Sequence, residues 1–276
     1  MLPPILTKKE ADRIISKKEG AASLSLDLGI SSATVLIKDG FVNIQKQKIP
    51  LSALQKIKEK TCYILEDNIP KQIAFFSDET SLYYKLLPTQ NWPTITLSST
   101  PMHRYSTILP KKDTELKIKE ISPVKGIVLD TCCGLGYTAI LSSKNAEKVY
   151  TFEKDKNVLR IAEFNPYSKE LFSNEKIEIR QKNIFEEISQ FEDSFFDRII
   201  HDPPTFKYSP ELYSREFHAE LYRVLKKGGI LYHYCPCPQK TKERKFYPKI
   251  VKQLRGVGFK KVEYHAESSG VRALKF

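Results

Sequence analysis

The sequence predicts a doubly wound α/β domain over residues 112–276, preceded by a small, β-rich α+β domain over residues 1–95. The chain has 276 residues, and a typical domain size of about 150 residues therefore predicts about two domains. From about residue 112, short apolar runs alternate with helical segments, a pattern typical of a parallel sheet covered by helices. Before residue 95, strand patterns follow one another with turn residues between them, which favours antiparallel β-structure.

The N-terminal domain begins with a polar segment, Thr7 to Lys18, that is expected to be helical. Residues 23–45 then alternate around Asp39-Gly40, a dipeptide typical of the two-residue turn of a β-hairpin. Proline and small polar residues cluster at residues 88–100. A connector between the domains is therefore expected there, with bounds at about residues 96–111.

The C-terminal domain has seven runs of strand length. The first five, expected to be parallel, are Gly126–Asp130, Lys148–Phe152, Ile177–Gln181, Phe196–His201 and Gly229–Tyr234; the last two are Lys260–His265 and Val271–Phe276. Helical segments are expected between them at Tyr137–Asn145, Asn157–Phe164, Ser214–Leu225 and about Tyr247–Gly256. In such a sheet, ligands bind at the carboxyl ends of the parallel strands.

Composition excludes several classes of protein. Hydrophobic residues make up 41% of the chain, which supports a packed core and excludes a disordered chain. No apolar stretch approaches the roughly 20 residues that a bilayer requires. The N-terminus becomes charged after one short apolar run, which leaves no room for a signal peptide. We therefore expect a cytoplasmic protein without a membrane partner.

The charge distribution favours a polyanionic partner. The formal net charge is +12, and residues 240–276 contribute 11 basic and 3 acidic side chains. A concentrated positive surface favours nucleic acid as the partner. A lysine-rich solubilising surface has the same composition, so charge alone leaves both interpretations open.

Two glycines follow the first strand of the C-terminal domain. Gly134 and Gly136 come shortly after Asp130, and glycine at such a turn allows the backbone to approach a ligand closely. A tight turn without a ligand has the same pattern. After the second strand, the carboxylate of Glu153 can accept both ribose hydroxyls of an adenosine. After the third, Asn183 either accepts from an adenine amine or caps the next helix.

The sequence HDPPTF, residues 201–206, follows the fourth strand. Two prolines remove two amide donors, so Asp202 and the adjacent carbonyls form an array of acceptors that suits an amine. Phe206 is placed to stack on a flat ring, as in nucleobase sites. The alternative is a loop that merely terminates the strand.

Residues 112–276 resemble a class I S-adenosylmethionine-dependent methyltransferase of Rossmann-like fold. The resemblance is carried by five segments in this order: DTCCGLGYTA, VYTFEKDKNVLRIAEFNP, QKNIFE, FDRIIHDPPTF and ELYRVLKKGGILYHY. The chain is also similar to a largely archaeal group of predicted RNA methyltransferases. The motifs that carry this similarity are MHRYS at 102–106, Asp113-Thr114, HDPP and SREFHAELYRVLKKGG. The resemblance implies S-adenosylmethionine as the cofactor and catalysis at Asp202, Pro203 and Pro204, and Phe206 joins these candidates as the stacking residue. The candidate cofactor-binding residues are Asp130, Cys132, Gly134, Gly136, Tyr137, Thr138, Glu153, Lys154, Asn183, Ile184 and His103.

The D-P-P signature resembles that of enzymes that methylate exocyclic amines of cytosine or adenine. Those enzymes usually carry an aromatic fourth residue, whereas this chain has Thr205 in the fourth place and Phe206 in the fifth. On this resemblance we expect direct methylation of the N4 amine of a cytidine, with ribosomal RNA as the partner.

Three other functions stay open. Cys235 and Cys237 lie just past the fifth strand, where some RNA cytosine-C5 methyltransferases place a nucleophilic thiol. The same fold also serves aminopropyl transfer to polyamines, as in spermidine synthases, although a basic chain repels a cationic substrate. A non-catalytic RNA-binding protein that retains a cofactor pocket is the third. The five histidines have no metal-ligand spacing with the cysteines, so no metal site is expected.

Overall fold

The computed structural model describes residues 3–235 and 246–276. It divides the chain into two compact units. The first unit comprises Met1–Lys111 and Asn157–Lys169, and the second comprises Lys112–Lys156 and Glu170–Phe276. The short segment Asn157–Lys169 therefore packs with N-terminal residues, although in sequence it lies inside the C-terminal domain.

Within residues 3–111, the first unit has the elements β1 (Ile5–Leu6), α1 (Lys8–Lys17), β2 (Gly20–Leu24), β3 (Ala33–Lys38), β4 (Phe41–Ile44), β5 (Gln47–Pro50), α2 (Leu51–Leu54), β6 (Tyr63–Glu66), β7 (Ile69–Gln72), β8 (Ala74–Ser77), β9 (Leu82–Leu87), β10 (Thr94–Leu97) and β11 (Thr100–Pro101). The strands form three antiparallel sheets, with strand orders β2-β3-β4-β5, β1-β6-β7 and β11-β10-β9-β8.

The hairpin expected at Asp39-Gly40 is confirmed. Lys38 pairs with Phe41 across the turn, and both turn residues have positive φ, 53° at Asp39 and 77° at Gly40. Positive φ at both positions defines the type I′ turn, whose twist matches that of the strands. The expected helix is α1, which begins after the capping residue Thr7.

The expected connector is not a plain linker. Its first residues belong to β10 and β11, which pair with each other, and β10 also pairs with β9. Thr94, Ile95 and Thr96 are buried, so this stretch is part of a sheet in the first unit.

Most of the remaining elements build the second unit. The strands are β12 (Ile127–Asp130), β13 (Lys148–Phe152), β14 (Ile177–Arg180), β15 (Phe196–His201), β16 (Leu225–Tyr234), β17 (Lys260–His265) and β18 (Gly270–Leu274). The helices are α3 (Pro110–Glu120), α4 (Tyr137–Ser143), α5 (Lys156–Glu163), α6 (Lys169–Ser173), α7 (Ile184–Glu187), α8 (Arg215–Val224) and α9 (Phe246–Gly256), with 3-10 turns at Pro166–Ser168, Ile188–Gln190 and Pro210–Tyr213.

The predicted seven-stranded, doubly wound sheet is confirmed. Its strand order is β14-β13-β12-β15-β16-β18-β17. The first five of these strands pair in parallel, and β18 is antiparallel to both of its neighbours. Strand order runs outward in opposite directions from β12 and β15, so the carboxyl ends of these two strands mark the topological switch point where such folds bind ligands.

The middle of the sheet is apolar because both of its faces are covered. Leu129, Ile199 and Leu231, on three adjacent strands, are fully buried. Helix α8 buries Phe217, Leu221 and Val224, a spacing that places all three on one helix face. Among the residues that the structure describes, no helix is long and apolar enough to span a bilayer.

Candidate active site

The candidate site lies where β12, β13 and β15 end. In the sheet, Asp130 pairs with Thr151 on one side and with Ile200 on the other. The first residue after β12 stays beside β15, because the Thr131 amide donates to the Ile200 carbonyl at 3.0 Å. The next turn stays at the same edge of the sheet.

Two positions of the glycine turn after β12 disfavour a side chain. Gly134 and Gly136 have φ of 54° and 78°, which L-residues with a side chain rarely adopt. A Cβ at Gly136 would lie 2.6 Å from the Leu171 side chain. The Gly136 amide donates to the Cys133 carbonyl at 2.8 Å and closes the turn. The turn thus has the tight backbone that the sequence predicted.

Glu153 is held against this turn. Its Oε2 accepts the Gly134 amide and its Oε1 accepts the Asp155 amide, each at 3.0 Å. Burial raises the pKa of the Glu153 carboxyl to about 7, against the opposing effect of these hydrogen bonds. Each carboxylate oxygen has a second lone pair, so the pair of oxygens suits two ribose hydroxyls.

Asp130 is fully buried at the end of β12. Its Oδ2 accepts the hydroxyls of Thr138 at 3.0 Å and Thr151 at 2.9 Å. Its Oδ1 has no hydrogen-bond partner among the described residues. Burial raises the pKa of Asp130 to about 7. A buried polar atom without a partner costs about 1–3 kcal/mol, so this oxygen favours a polar ligand group at the site.

These observations test whether the residues fit S-adenosylmethionine, and they do. The orphaned Asp130 oxygen, the glycine turn and the paired oxygens of Glu153 lie at one sheet edge, and they would hold the amino acid and ribose parts of the cofactor. Tyr137 and Thr138 are buried in α4, and Cys132 is half-buried in the turn. Lys154 is exposed, and its Nζ donates to Ser209 Oγ at 3.2 Å.

Asn183 makes the contacts of a helix cap. Its Oδ1 accepts the Phe185 amide at 3.1 Å, and its Nδ2 donates to Glu186 Oε1 at 3.0 Å. Of the two interpretations of Asn183, capping of α7 is therefore the one with contacts in the structure. The adjacent Ile184 is buried. The adenine contact predicted for these two residues stays a prediction.

The D-P-P loop leaves the sheet from β15. Asp202 is half-buried, Pro203 is buried, and residues 204–208 are exposed. The Tyr213 hydroxyl donates to the Pro204 carbonyl at 2.7 Å and fixes the loop to the buried turn before α8. This hydrogen bond anchors the loop that carries the acceptor array at the sheet edge.

Asp202 has a partner that sequence reasoning missed. Lys117 Nζ lies 2.6 Å from Asp202 Oδ2 and 2.8 Å from Asp113 Oδ2. The side chains of Lys117 and Asp113 are only 6% and 1% exposed, compared with 22% for Asp202. Burial lowers the pKa of Lys117, but Asp202 and Asp113 outweigh it and raise that pKa above its ordinary value. Two sequence signals point to this group: the motif Asp113-Thr114 of the resemblance, and the i,i+4 spacing of Asp113 and Lys117, which is also common on exposed helices.

Phe206 stands at the outer end of the loop. Its ring is edge-on to Tyr213 and Phe246, with centroids 5.7 and 6.0 Å apart. It remains 48% exposed, and Tyr208 is 46% exposed. An aromatic ring that contacts other rings on one side and is exposed on the other is suited to stacking on a base.

Three histidines form a second group that the sequence did not predict. His201, His218 and His233 are fully buried behind the D-P-P loop. His201 Nε2 donates to the Leu212 carbonyl at 2.9 Å, so its Nδ1 accepts the Thr131 hydroxyl at 2.8 Å. Burial lowers the pKa of all three, of His233 to about 4 and of His218 to about 2. They are neutral, structural side chains that link the ends of β12, β15 and β16.

The described cysteines have the environment of core residues. Cys235 is fully buried, and its amide donates to the Ser269 carbonyl at 2.8 Å. Cys237 lies outside the described residues. Burial raises the pKa of Cys132 and Cys133 well above the ordinary value, so both thiols are poor nucleophiles.

His103 belongs to the first unit. Its Nδ1 hydrogen-bonds with Thr94 Oγ1 at 2.8 Å, and its amide donates to the same oxygen at 3.3 Å. Its predicted cofactor contact stays a prediction. No cluster of three or more metal-ligating side chains occurs in residues 3–235 or 246–276.

Residues 128–229 match the family model described as a methyltransferase domain. The matched range runs from β12 into β16 and includes the glycine turn, Glu153 and the D-P-P loop. The chain is 38% identical to the "Uncharacterized protein MJ1233" of Methanocaldococcus jannaschii over 278 residues, which cover 98% of this chain and 95% of that protein.

Two solved structures share the fold. A spermidine synthase in complex with the transition state analogue AdoDATO is 19% identical, with a TM-score of 0.55 over 67% of this chain and 64% of that chain. The spermidine synthase of Thermotoga maritima is 18% identical, with a TM-score of 0.52 over 69% of this chain and 67% of that one. At such identity the likeness concerns the fold alone, and the cofactor assignment depends on the methyltransferase domain match.

Proposed function

We propose a function from one premise: the chain belongs to the protein family of MJ1233, and its second unit is a class I methyltransferase domain that uses S-adenosylmethionine. From it we infer that the protein methylates RNA, at the exocyclic N4 amine of a cytidine in ribosomal RNA, by direct transfer. One observation carries the proposal. Asp202 and the Pro203 carbonyl follow β15 at the same sheet edge as Asp130 and Glu153, which suit the cofactor.

The chemistry requires an activated amine. Bound S-adenosylmethionine would supply a methyl group to the amine nitrogen. Its sulfonium sulfur would keep the electron pair of the broken S–C bond, and the methylated nitrogen would lose one proton to solvent. The cytosine amine is a poor nucleophile because its lone pair is delocalised into the ring. Asp202 and the Pro203 carbonyl counter this by accepting hydrogen bonds from the two N–H groups of the amine, which favours tetrahedral geometry at the nitrogen. These hydrogen bonds strengthen as positive charge develops on nitrogen in the transition state.

Two surface features support RNA as the substrate. Phe206 and Tyr208 present exposed aromatic rings beside the acceptor array, and unpaired bases stack on such rings. Helix α9 carries three exposed cations, Lys249, Lys252 and Arg255, and no acidic residue. A surface of this charge suits a phosphate backbone.

No specific observation favours the alternatives. Attack by Cys235 on a pyrimidine would require a thiol that is now fully buried in the core. Aminopropyl transfer is supported only by a likeness of fold. The exocyclic amine is therefore the methyl acceptor that we propose.

Incubation of the purified protein with methyl-labelled S-adenosylmethionine, total RNA and polyamines tests the proposed class of substrate. Label in RNA is the expected result, whereas label in polyamine alone, or in no acceptor, would contradict it. A Cys235→Ala/Cys237→Ala double variant serves as the matched control for mechanism. We expect it to retain full activity, because the direct route uses no thiol, and loss of activity in this variant would favour C5 chemistry.

A further inference from the structure

Lys117 is a buried cation beside the proposed catalytic carboxylate, and the amine chemistry described above does not use it. Its ammonium contacts Asp202 and Asp113 at 2.6 and 2.8 Å. The Tyr234 ring lies against the same ammonium, with its centroid 4.9 Å from Nζ. A buried lysine loses hydration and side-chain freedom, and Asp113, one helical turn away, already supplies a counter-charge. The second ion pair, to Asp202, therefore calls for a separate explanation.

The helix that carries Lys117 is fixed to the catalytic sheet. At the end of α3, Glu120 Oε2 lies 2.6 Å from His265 Nδ1 on β17. The Glu120 carbonyl accepts Arg272 Nε of β18 at 2.9 Å. The ammonium of Lys117 is thus held at a defined point relative to β15. A carboxylate paired with it loses its freedom to rotate.

We infer that Lys117 is a positioning residue, which holds the Asp202 carboxylate in the orientation that accepts the substrate amine; the inference rests on the proposed function. Asp202 is the most exposed of the three side chains, so it is the one that can meet a substrate. Because Lys117 fixes Oδ2, the carboxylate does not have to reorganise when charge develops on the amine. Preorganisation of this kind is a large part of electrostatic catalysis.

Asp113 has a distinct effect in this arrangement. A lysine paired with Asp202 alone would cancel the negative charge that stabilises a developing cation. With Asp113 included, the group of two carboxylates and one ammonium keeps one net negative charge. Asp202 therefore retains its electrostatic effect while Lys117 sets its direction.

The charges of Asp113 and Lys117 cancel, so a double variant can change the orientation of Asp202 without changing the net charge of the group. Lys117→Met alone leaves two carboxylates together and is at risk of misfolding. The double variant Asp113→Asn/Lys117→Met removes one charge of each sign, so one net negative charge remains on Asp202. Lys119→Met is the matched control, because Lys119 lies on the exposed face of the same helix.

The assay measures kcat and KM with ribosomal RNA from a strain that lacks the gene, together with cofactor affinity by calorimetry. We expect the double variant to lose about 10- to 100-fold in kcat, with KM and cofactor affinity within about threefold of the unmodified protein. The Lys119→Met control is expected to keep its kcat. A fall in kcat without a change in KM or affinity is not the result of a general structural defect.

Full kcat in the folded double variant would overturn the inference and leave the proposed function intact. An equal loss in kcat and in cofactor affinity would also overturn it, because Lys117 would then support the fold of the site as a whole. An unmodified protein that methylates no RNA would instead overturn the proposed function, and the role of Lys117 with it.

Discussion

At the scale of single residues, Asp202 and Cys235 separate the two chemistries open to an RNA cytosine. Asp202 is partly exposed at the edge of the sheet and is held by a buried lysine. Cys235 is fully buried, with its backbone paired to Ser269. Direct methylation needs an oriented acceptor at the amine, whereas C5 methylation needs an accessible thiolate. The environments of these two residues favour the first.

Asp202→Ala should lower the rate of methyl transfer by about 100-fold or more, because an acceptor is removed where charge develops. The variant should fold, since Lys117 keeps its pair with Asp113. Cofactor affinity, measured by calorimetry, should be nearly unchanged. Asp67→Ala is a suitable control, because that carboxylate is 91% exposed in the first unit. An Asp202→Ala enzyme with normal turnover would refute the assignment of the acceptor.

Two variants test the cofactor pocket independently of the reaction. Gly136→Val should weaken S-adenosylmethionine binding, because a side chain there collides with Leu171 and φ is 78°. Glu153→Ala should weaken binding by about 10-fold or more, since a hydrogen bond to a charged group is worth about 1.5–3 kcal/mol. Titration calorimetry measures both. Unchanged affinity in both variants would show that the cofactor does not bind at this edge of the sheet.

Asp130 should make the protein less stable as pH rises. Its pKa is raised by burial from 3.8 to about 7 in the folded state, so between these values the folded state binds more protons than the unfolded state. Its contribution to stability is therefore present at low pH and lost as pH increases through about 7. Urea unfolding at pH 5 and pH 8 should show a steeper decline for the unmodified protein than for Asp130→Asn. Parallel declines would mean that Asp130 does not titrate in this window.

At the scale of elements, sequence patterns predicted the strands and their ends well. Lys148–Phe152 and Phe196–His201 have the bounds that were predicted, because these strands are rich in apolar residues and are followed by polar or turn residues. For the same reason Asp130 and the glycine turn were placed correctly relative to β12. The chain order of these elements then determines which side chains share an edge of the sheet.

Helix α3 shows why the remainder of the site was not predictable. Its sequence, PKKDTELKIKE, has the composition of an exposed helix, and nothing local indicates that Asp113 and Lys117 are buried. Their burial depends on packing against β15 to β18, which is far away in sequence. The histidine cluster was missed for the same reason, since His201, His218 and His233 meet only in the folded sheet.

The basic face of α9 should contribute to RNA binding. Replacing Lys249 and Lys252 by Gln should reduce the salt dependence of RNA affinity, by about 0.7 in log-log slope for each phosphate that the variant no longer neutralises. The control pair is Lys125→Gln and Lys227→Gln, two exposed cations near the amino ends of β12 and β16, at the opposite edge of the sheet. Filter-binding titrations over a range of salt concentrations measure the slope. Equal slopes for both pairs would identify the α9 charges as a solubilising surface.

At the scale of the whole molecule, the chain length and the strand and helix patterns predicted two domains, but they did not predict where the segment Asn157–Lys169 packs. The predicted α/β sheet lies in the second unit, and the predicted β-rich region lies in the first. The segment Asn157–Lys169 groups with the first unit, where Arg160 packs over the Phe75 ring at 4.4 Å and the Tyr167 hydroxyl donates to the Leu28 carbonyl at 3.1 Å. Such interactions join residues that are far apart in the chain, and no local pattern in residues 157–169 encodes them.

The identity of the methylated atom decides whether the protein is an N4-cytidine methyltransferase. Nucleoside mass spectrometry of ribosomal RNA, compared between the parent strain and a strain that lacks the gene, measures this directly. We predict that one N4-methylated cytidine is missing from the deletion strain and that the gene restores it, whereas the Asp202→Ala gene does not. Loss of a 5-methylcytidine instead, or an unchanged set of nucleosides, would contradict the account.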